Sequence, residues 1–292
     1  MTDDNQIFIE RARADFSRAR FKAFVNSIWS LIQGQPNQLL SYDEIKEKLR
    51  VGGPIYRGVQ TVPVKQIIGS LNRYHQFDRA FLPTQGETAA RWQRVNLAFY
   101  SDVSLPPVVL YKVGDIYFVV DGHHRVSVAR EQGQIFIEAE VRECATKVHI
   151  TPNILIEDLE ILSEKVDFIE RTAIDQVRPE ANIKLNIPDG FHRMLEHIAV
   201  HKYFMGIEQK RDISDEEAVA DWYDHVYLPI AEVIRQSSIL EDFPNQTEGD
   251  LYLWVLDHQH YLHETNGLAL MPPEDAARDY IKSQKDVDEE LE

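Results

Sequence analysis

The chain has 292 residues, 43% hydrophobic and 10% aromatic, with 31 Lys+Arg against 48 Asp+Glu and a formal net charge of −17 at pH 7. That length suits one large domain or two ordinary ones, with cores that need no covalent staples. No run approaches the 18 or so consecutive apolar residues of a membrane helix, and Cys144 is the single cysteine, which excludes an internal disulfide. The start, Met1-Thr2-Asp3-Asp4-Asn5-Gln6, lacks a basic and apolar export signal, so a reducing cytoplasm is the expected location.

Charge divides the chain near residue 150. Residues 1–150 hold 19 Lys+Arg and 16 Asp+Glu, net +3; residues 151–292 hold 12 and 32, net −20. DNA phosphates repel the second half, so any nucleic-acid contact must come from the first, and the acidic half is left as a solvated helical surface or a protein-partner module.

From Ile7 to Leu31, Phe16, Phe21, Phe24, Val25, Ile28 and Trp29 recur at helical spacing between Arg11, Arg13, Arg18, Arg20 and Lys22. Ser41-Tyr42-Asp43-Glu44 reads as a capping box opening a short second helix that stops before Gly52-Gly53-Pro54. Joined by Gln33-Gly34-Gln35-Pro36, the two suggest a helix-turn-helix. Asp43, Glu44 and Glu47 on the second helix suit DNA poorly, which favours a helical arm packed on the next domain.

The period then changes. Thr61–Ile68, Pro107–Lys112, Ile116–Val120 and Ile135–Val141 read as four strands, with Gly114-Asp115 turning a hairpin between the middle two. Arg91–Tyr100 and Arg125–Gln132 read as helices, the latter ended by Gly133. Four helices follow at Leu155–Ala173, Phe191–Phe204, Ser214–Arg235 and Asp250–Glu264, with a second capping box at Ser214 and Glu217. The polar tail from Ser283 to Glu292 is predicted to be disordered.

Chemistry concentrates in Asp121-Gly122-His123-His124-Arg125, where a buried strand passes through glycine into a helix. Amides at a helix start lack internal partners and point outward with the positive end of the dipole, so they attract an anion. Gly122 admits a ligand to the backbone, Arg125 brings a planar cation for phosphate oxygens, and His123 and His124 bring titratable donors. The alternative is a plain connection in which Asp121 caps the helix.

This turn and its strand order resemble the ParB/sulfiredoxin superfamily from Val59-Gln60-Thr61-Val62-Pro63-Val64-Lys65-Gln66-Ile67 through Val141-Arg142-Glu143, about a third of the chain. The resemblance implies that Gly122, His123, His124 and Arg125 stand where the family's Gly-x-Arg-Arg turn contacts nucleotide phosphates. Sulfiredoxin carries its redox cysteine where His123 stands, so sulfinic acid reduction is not implied. A free-serine kinase branch uses Asp-Gly-His-Thr-Arg, matched by Asp121, Gly122, His123 and Arg125 and departed from at His124. ATP or CTP with Mg2+ is the ligand this implies, with NTP hydrolysis or phosphotransfer to a small molecule left open. The motifs by which ParB clamps continue into a DNA-reading helix-turn-helix are absent from residues 145–292. Segments around His197–Phe204 and Tyr252–Leu256 resemble an uncharacterised bacterial family, which supplies no function.

The segment Arg73-Tyr74-His75-Gln76-Phe77-Asp78-Arg79 adds Arg73 and Arg79 as cations for a triphosphate and Asp78 as a Mg2+ ligand or proton acceptor. Catalytic candidates are thus Asp78, Asp121 and His123; Gly122, His123, His124, Arg125, Arg73 and Arg79 are the nucleotide contacts. His197 with His201, and His260 with Glu264, stand four apart without a third metal ligand, and no metal centre is assigned. Cys144 reads as a core residue, and Trp222, Tyr223, Tyr227, Tyr252 and Trp254 as packing aromatics.

The expected fold is α+β. A helical arm (1–50) precedes a ParB/sulfiredoxin-like small mixed sheet with helices (51–148), then a mainly α-helical acidic domain (149–282) and the tail (283–292). The function read from it is nucleotide binding with a regulatory role; the alternative is a DNA-associated ParB-like protein or nuclease using the basic first helix.

Overall fold

The computed structural model describes residues 3–34, 37–72, 75–266 and 271–291; Gln35 and Pro36 of the expected interhelical turn lie outside the described residues. The fold is α+β. The chain divides into two units, Met1–Leu159 and Glu160–Glu292.

In the first unit, α1 (Asp3–Gln33), β1 (Leu40–Ser41) and α2 (Tyr42–Lys48) precede β2 (Pro54–Pro63), a 3-10 turn (Val64–Gln66) and β3 (Ile67–Ser70). Then come α3 (Ala89–Tyr100), β4 (Val108–Val113), β5 (Ile116–Asp121), α4 (His123–Glu131) and β6 (Phe136–Cys144). One sheet takes the order β1-β3-β5-β4-β6-β2. Strands β1, β3 and β5 run parallel; β4 is antiparallel to β5 and parallel to β6, and β2 is antiparallel to β6. The sequence predicts four strands where the described residues form six: the Thr61–Ile68 run breaks at Pro63 into an edge strand and an interior one, and the two-residue β1 has no counterpart among the predicted strands.

Strand β5 lies inside the sheet with Ile116, Tyr117, Phe118 and Val119 all buried, which is why it reads as a continuous apolar run and not an alternating one. Gly69 on β3 makes room for its neighbour: a Cβ there would stand 2.2 Å from the Phe118 ring. The Gly114-Asp115 hairpin forms as expected, with Val113 opposite Ile116 and Gly114 at φ +57.

Helix α1 belongs to this unit. Phe16 packs on Trp92 of α3 at 5.6 Å between centroids, and Trp92 donates to the Ser127 hydroxyl of α4 at 2.9 Å. Buried Asp15 accepts from Asn96 at 3.0 Å, Gln132 at 3.2 Å and the Tyr100 hydroxyl. The segment beyond residue 148 also stays with the sheet, since Asp115 donates its amide to the Ile150 carbonyl at 3.0 Å and Ile150 is buried. The first compact unit accordingly runs on to Leu159.

Among its described residues the regular elements of the second unit are all helical: α5 (Asp158–Thr172, entering it at Glu160), α6 (Ile174–Val177), α7 (Gly190–Gln209), α8 (Asp215–Trp222), a π turn (Tyr223–Tyr227), α9 (Leu228–Gln236), α10 (Glu248–Asn266) and α11 (Pro273–Leu291). The predicted single helix Ser214–Arg235 is interrupted by that π turn. Ser214 caps α8 as expected, accepting from the Glu217 amide at 3.2 Å. The centre is aromatic, with Trp222 against Phe168 at 6.5 Å and Tyr252 at 5.9 Å. Where polarity predicts a disordered tail, the backbone is helical through Leu291. No described helix is long and apolar enough to cross a membrane.

Candidate functional site

Strands β3 and β5 are parallel neighbours, so Ser70 and Asp121 end at the same rim of the sheet, where α4 begins. Gly122 occupies the N-cap with φ +100, a left-handed backbone that L side chains avoid. A Cβ there would meet Val108 Cγ1 at 2.6 Å and Arg125 Cζ at 3.1 Å. The glycine is thus demanded by backbone conformation and by packing on β4, a stronger reason than ligand access. Glycine also puts no side-chain oxygen over the helix start.

A concavity of about 490 Å³ opens at this rim, lined by Asn72, Arg91, Val95 and the turn from Val120 to Arg125. It unites Asp121, Gly122, His123, His124 and Arg125 of the expected site, in roles that differ from expectation. His123 is buried, with Nε2 2.7 Å from the Ser70 hydroxyl and its ring stacked on Phe77 at 6.2 Å. His124 is buried with its ring edge to Phe77 at 5.4 Å. The two imidazoles border the concavity as buried, packed rings.

Arg125 departs furthest from expectation. Its guanidinium donates to the carbonyls of Pro106 and Pro107, the latter at 2.8 Å, and to Asp121 at 2.6 Å; the side chain is 15% exposed and that of Asp121 74%. The expected phosphate fork is therefore a clamp, tying the β4 entry to the β5 exit. The exposed cation on this wall is Arg91, one turn before Val95 on α3, which has no ion pair among the described residues.

Asp78 and Arg79 do not reach the concavity. Asp78 is buried, accepting from the Leu82 amide at 2.8 Å and Asn26 at 3.1 Å. Burial pushes its carboxyl above the usual range, opposed by those hydrogen bonds. It organises the Asp78–Leu82 turn and anchors α1, and is neither a Mg2+ ligand nor a base for this site. Arg79 is half-buried and donates to the Ile154 carbonyl. Arg73 lies outside the described residues.

Asn72, Arg91 and Ser70 are the site residues that sequence reasoning missed. Arg91 and Val95 share a face at i,i+4, a spacing that places both on the rim once α3 is known to pack there.

A second hollow, about 440 Å³, adjoins the first and shares Val95 and Arg125 with it. Its lining mixes apolar residues, Phe99, Leu105, Pro106, Pro107, Val108 and Phe136, with Asp102, Gln134 and Glu138.

The paired residues of the helical unit find separate partners. His197 meets the Tyr252 hydroxyl at 3.1 Å and His201 meets Asp221 at 2.7 Å, while His260 pairs with Glu264 at 3.3 Å. Among the described residues no group of three His, Cys, Asp or Glu is placed to hold a metal ion. Cys144 is buried, 3.4 Å from the Tyr42 hydroxyl.

No family model matches the chain, and no curated protein matches it. Among solved structures it is similar to one described as the C2221 form of a Pnob8-like ParB-N domain, at 10% identity and a TM-score of 0.20, over 81% of this chain and 84% of that one. That degree of likeness fixes neither fold nor function, which rest on the geometry above.

Proposed function

We propose that residues 1–159 bind a nucleoside triphosphate, ATP or CTP, with its phosphates at the amino end of α4 and its base in the adjoining hollow. The observation that carries this reading is the adjacency of two hollows across Arg125, one at the amino end of α4 and the other bordered by Phe99, Leu105, Val108 and Phe136 against which a base can lie. The start of α4 supplies the dipole and amide environment for phosphate, and Arg91 the exposed cation. Asp121 is the carboxylate at hand for Mg2+ arriving with the phosphates. The resemblance of the Gly122–Arg125 turn to the nucleotide turn of ParB-type domains supports the same ligand.

The role is binding, and through it regulation. Asp121 is tied to Arg125 and Asp78 lies elsewhere, so the arrangement gives no reason to assign a catalytic base.

The test is calorimetric titration of ATP, CTP and GTP with Mg2+ into the full chain. Binding of at least one, weakened about tenfold or more by Arg91→Ala, is expected, since each tenfold is about 1.4 kcal/mol and one charge-assisted contact is worth that much. Absence of heat with all three removes the reading. Salt-sensitive retardation of duplex DNA without nucleotide binding transfers the same phosphate chemistry to a nucleic acid.

A further inference from the structure

A separate cavity, about 630 Å³, lies within residues 160–292, in the size range of small-molecule sites. One wall is the extended segment after α6. Ile183 and Leu185 are buried there, while the alternate residues Glu180, Asn182 and Lys184 line the cavity. The facing wall combines the π turn and its exit, Tyr223, Tyr227 and Leu228, with Arg235 of α9 and Thr247–Glu248 at the head of α10.

Two independent observations point to a ligand. The first is the π turn itself. Such turns are rare and concentrate at functional sites, because i→i+5 bonding is a poorer helix that persists only where something else requires it. Here it brings the fourth and fifth residues after Tyr223 onto one face, so that Tyr223, Tyr227 and Leu228 all line the cavity.

The second is a pair of phenols. Tyr223 and Tyr227 are 5% and 2% exposed, their rings stacked at 5.6 Å, and neither hydroxyl has a hydrogen-bond partner among the described residues. Tyr252, in the same unit, behaves ordinarily: its hydroxyl accepts from Trp222 Nε1 at 3.0 Å and meets His197. Neither hydroxyl is a buried polar atom cut off from solvent, so both are open to a group that enters the cavity they line. Burial pushes both phenols up in pKa, which keeps them neutral donors at physiological pH.

Charge selects the class of ligand. Arg235 and Glu248 neutralise each other at 2.8 Å, whereas Glu180 and Lys184 have no ion pair among the described residues. The lining is therefore balanced, with one cation and one anion unspoken for, inside a half of the chain whose net charge is −20. An anion such as phosphate meets that field with repulsion, and a polycation meets Lys184 and Arg235. A molecule carrying one charge of each sign avoids both penalties.

We propose that this cavity binds a small zwitterion of the amino-acid class, free or as a dipeptide. Lys184 holds its carboxylate, Glu180 its ammonium, and Tyr223, Tyr227, Leu228 and Leu240 take its apolar side chain. The site does not depend on the nucleotide reading of residues 1–159.

The experiment is ligand-observed NMR and calorimetry on the full chain with L-phenylalanine, L-leucine and the dipeptide glycyl-phenylalanine. N-acetyl-phenylalanine, phenylalanine amide and inorganic phosphate are the comparison probes. At least one zwitterion is expected to bind at about 1 mM or tighter, with the acetylated and amidated forms and phosphate weaker by about fivefold or more. Tyr227→Phe keeps the ring and removes one hydroxyl; it is expected to weaken binding severalfold while leaving the thermal midpoint unchanged or raised. Lys184→Met and Glu180→Gln, both at exposed positions, are expected to abolish the preference for the free carboxylate and the free ammonium respectively. Failure of every zwitterion to bind overturns the proposal, as does equal binding of the blocked forms or full affinity in both charge variants. Binding of ATP or CTP reads the other site, and neither its presence nor its loss changes these outcomes.

Discussion

The two units differ in what fills the space around their buried polar groups. In residues 1–159 they close on backbone and side chains far away in sequence. Arg130 donates to the Val64 carbonyl at 3.1 Å and the Ile67 carbonyl at 2.6 Å, and lies over the Phe81 ring at 5.1 Å. Arg125 does the same for Pro106 and Pro107, and Asp15 joins α1 to α3 and α4. In residues 160–292 fully buried Asp250 does likewise, accepting from the Asn186 amide at 2.9 Å, but the centre is filled by rings packed around Trp222 and Tyr252. The first unit sets geometry by directional bonds, which lose most when one partner is removed. The second sets it by filled volume, which loses most when a ring is removed.

That contrast is most sharply exposed at Trp222. Its side chain is fully buried, so Trp222→Ala leaves a cavity that the surrounding rings cannot close, and about 3–5 kcal/mol of stability is expected to be lost. Urea unfolding followed by far-UV circular dichroism measures it; a loss below about 1 kcal/mol would mean that packing does not hold this unit.

In the first unit, Arg130→Met keeps an apolar stem of similar reach and deletes the donors. The carbonyls of Val64 and Ile67 then lose charged partners just where β2 gives way to β3, and a cost of about 2–3 kcal/mol is expected. Burial pulls the Arg130 guanidinium down to about 10, still charged at neutral pH, so the loss is present across the neutral range. If Arg130→Met is as stable as the parent, directional bonding is not what fixes the β2–β3 junction.

Legibility in the sequence divides in a similar way, between local causes and distant ones. The β4–β5 hairpin, the capping serines and the period of most helices are legible because their causes are local: Gly114-Asp115, Ser41, Ser214 and apolar residues at fixed spacing. Strand β1 has only two residues and exists through parallel pairing with β3, some thirty positions on, a partner no local pattern announces. Residues Pro54–Gln60 resemble a turn, with Gly58 at φ +83, yet an edge strand tolerates both proline and a bulge. Arg125, Asp78 and Arg79 are recognisable as unusual charges; their destinations are not. Sequence shows that a guanidinium is present, while its partners at Pro106 and Ile154 depend on the closed sheet. The π turn is hidden for a related reason, since Tyr223 and Tyr227 stand at i,i+4, the spacing of an ordinary helix face.

The smallest effect separates the units by pH. Burial lowers His197 from the usual 6.5 to about 4, with Arg193 adding to the effect, so the folded chain binds this proton more weakly than the unfolded one. Stability that depends on neutral His197 is therefore complete above about 6.5 and drains as pH falls towards 4. Asp15 behaves otherwise: burial alone would raise it, and the bonds from Tyr100, Asn96 and Gln132 with the charge of Arg18 outweigh that and leave it below 3.8. Its contribution persists through the His197 window and is lost only below about 4. His197→Gln is expected to flatten the stability profile between pH 6.5 and 4 at a cost under about 1 kcal/mol at pH 7, and Asp15→Asn to lower stability by about 1 kcal/mol throughout that range. Urea midpoints at half-unit pH steps for the parent and both variants test the pair, and an unchanged slope in His197→Gln would show that this imidazole is not what makes residues 160–292 acid-sensitive.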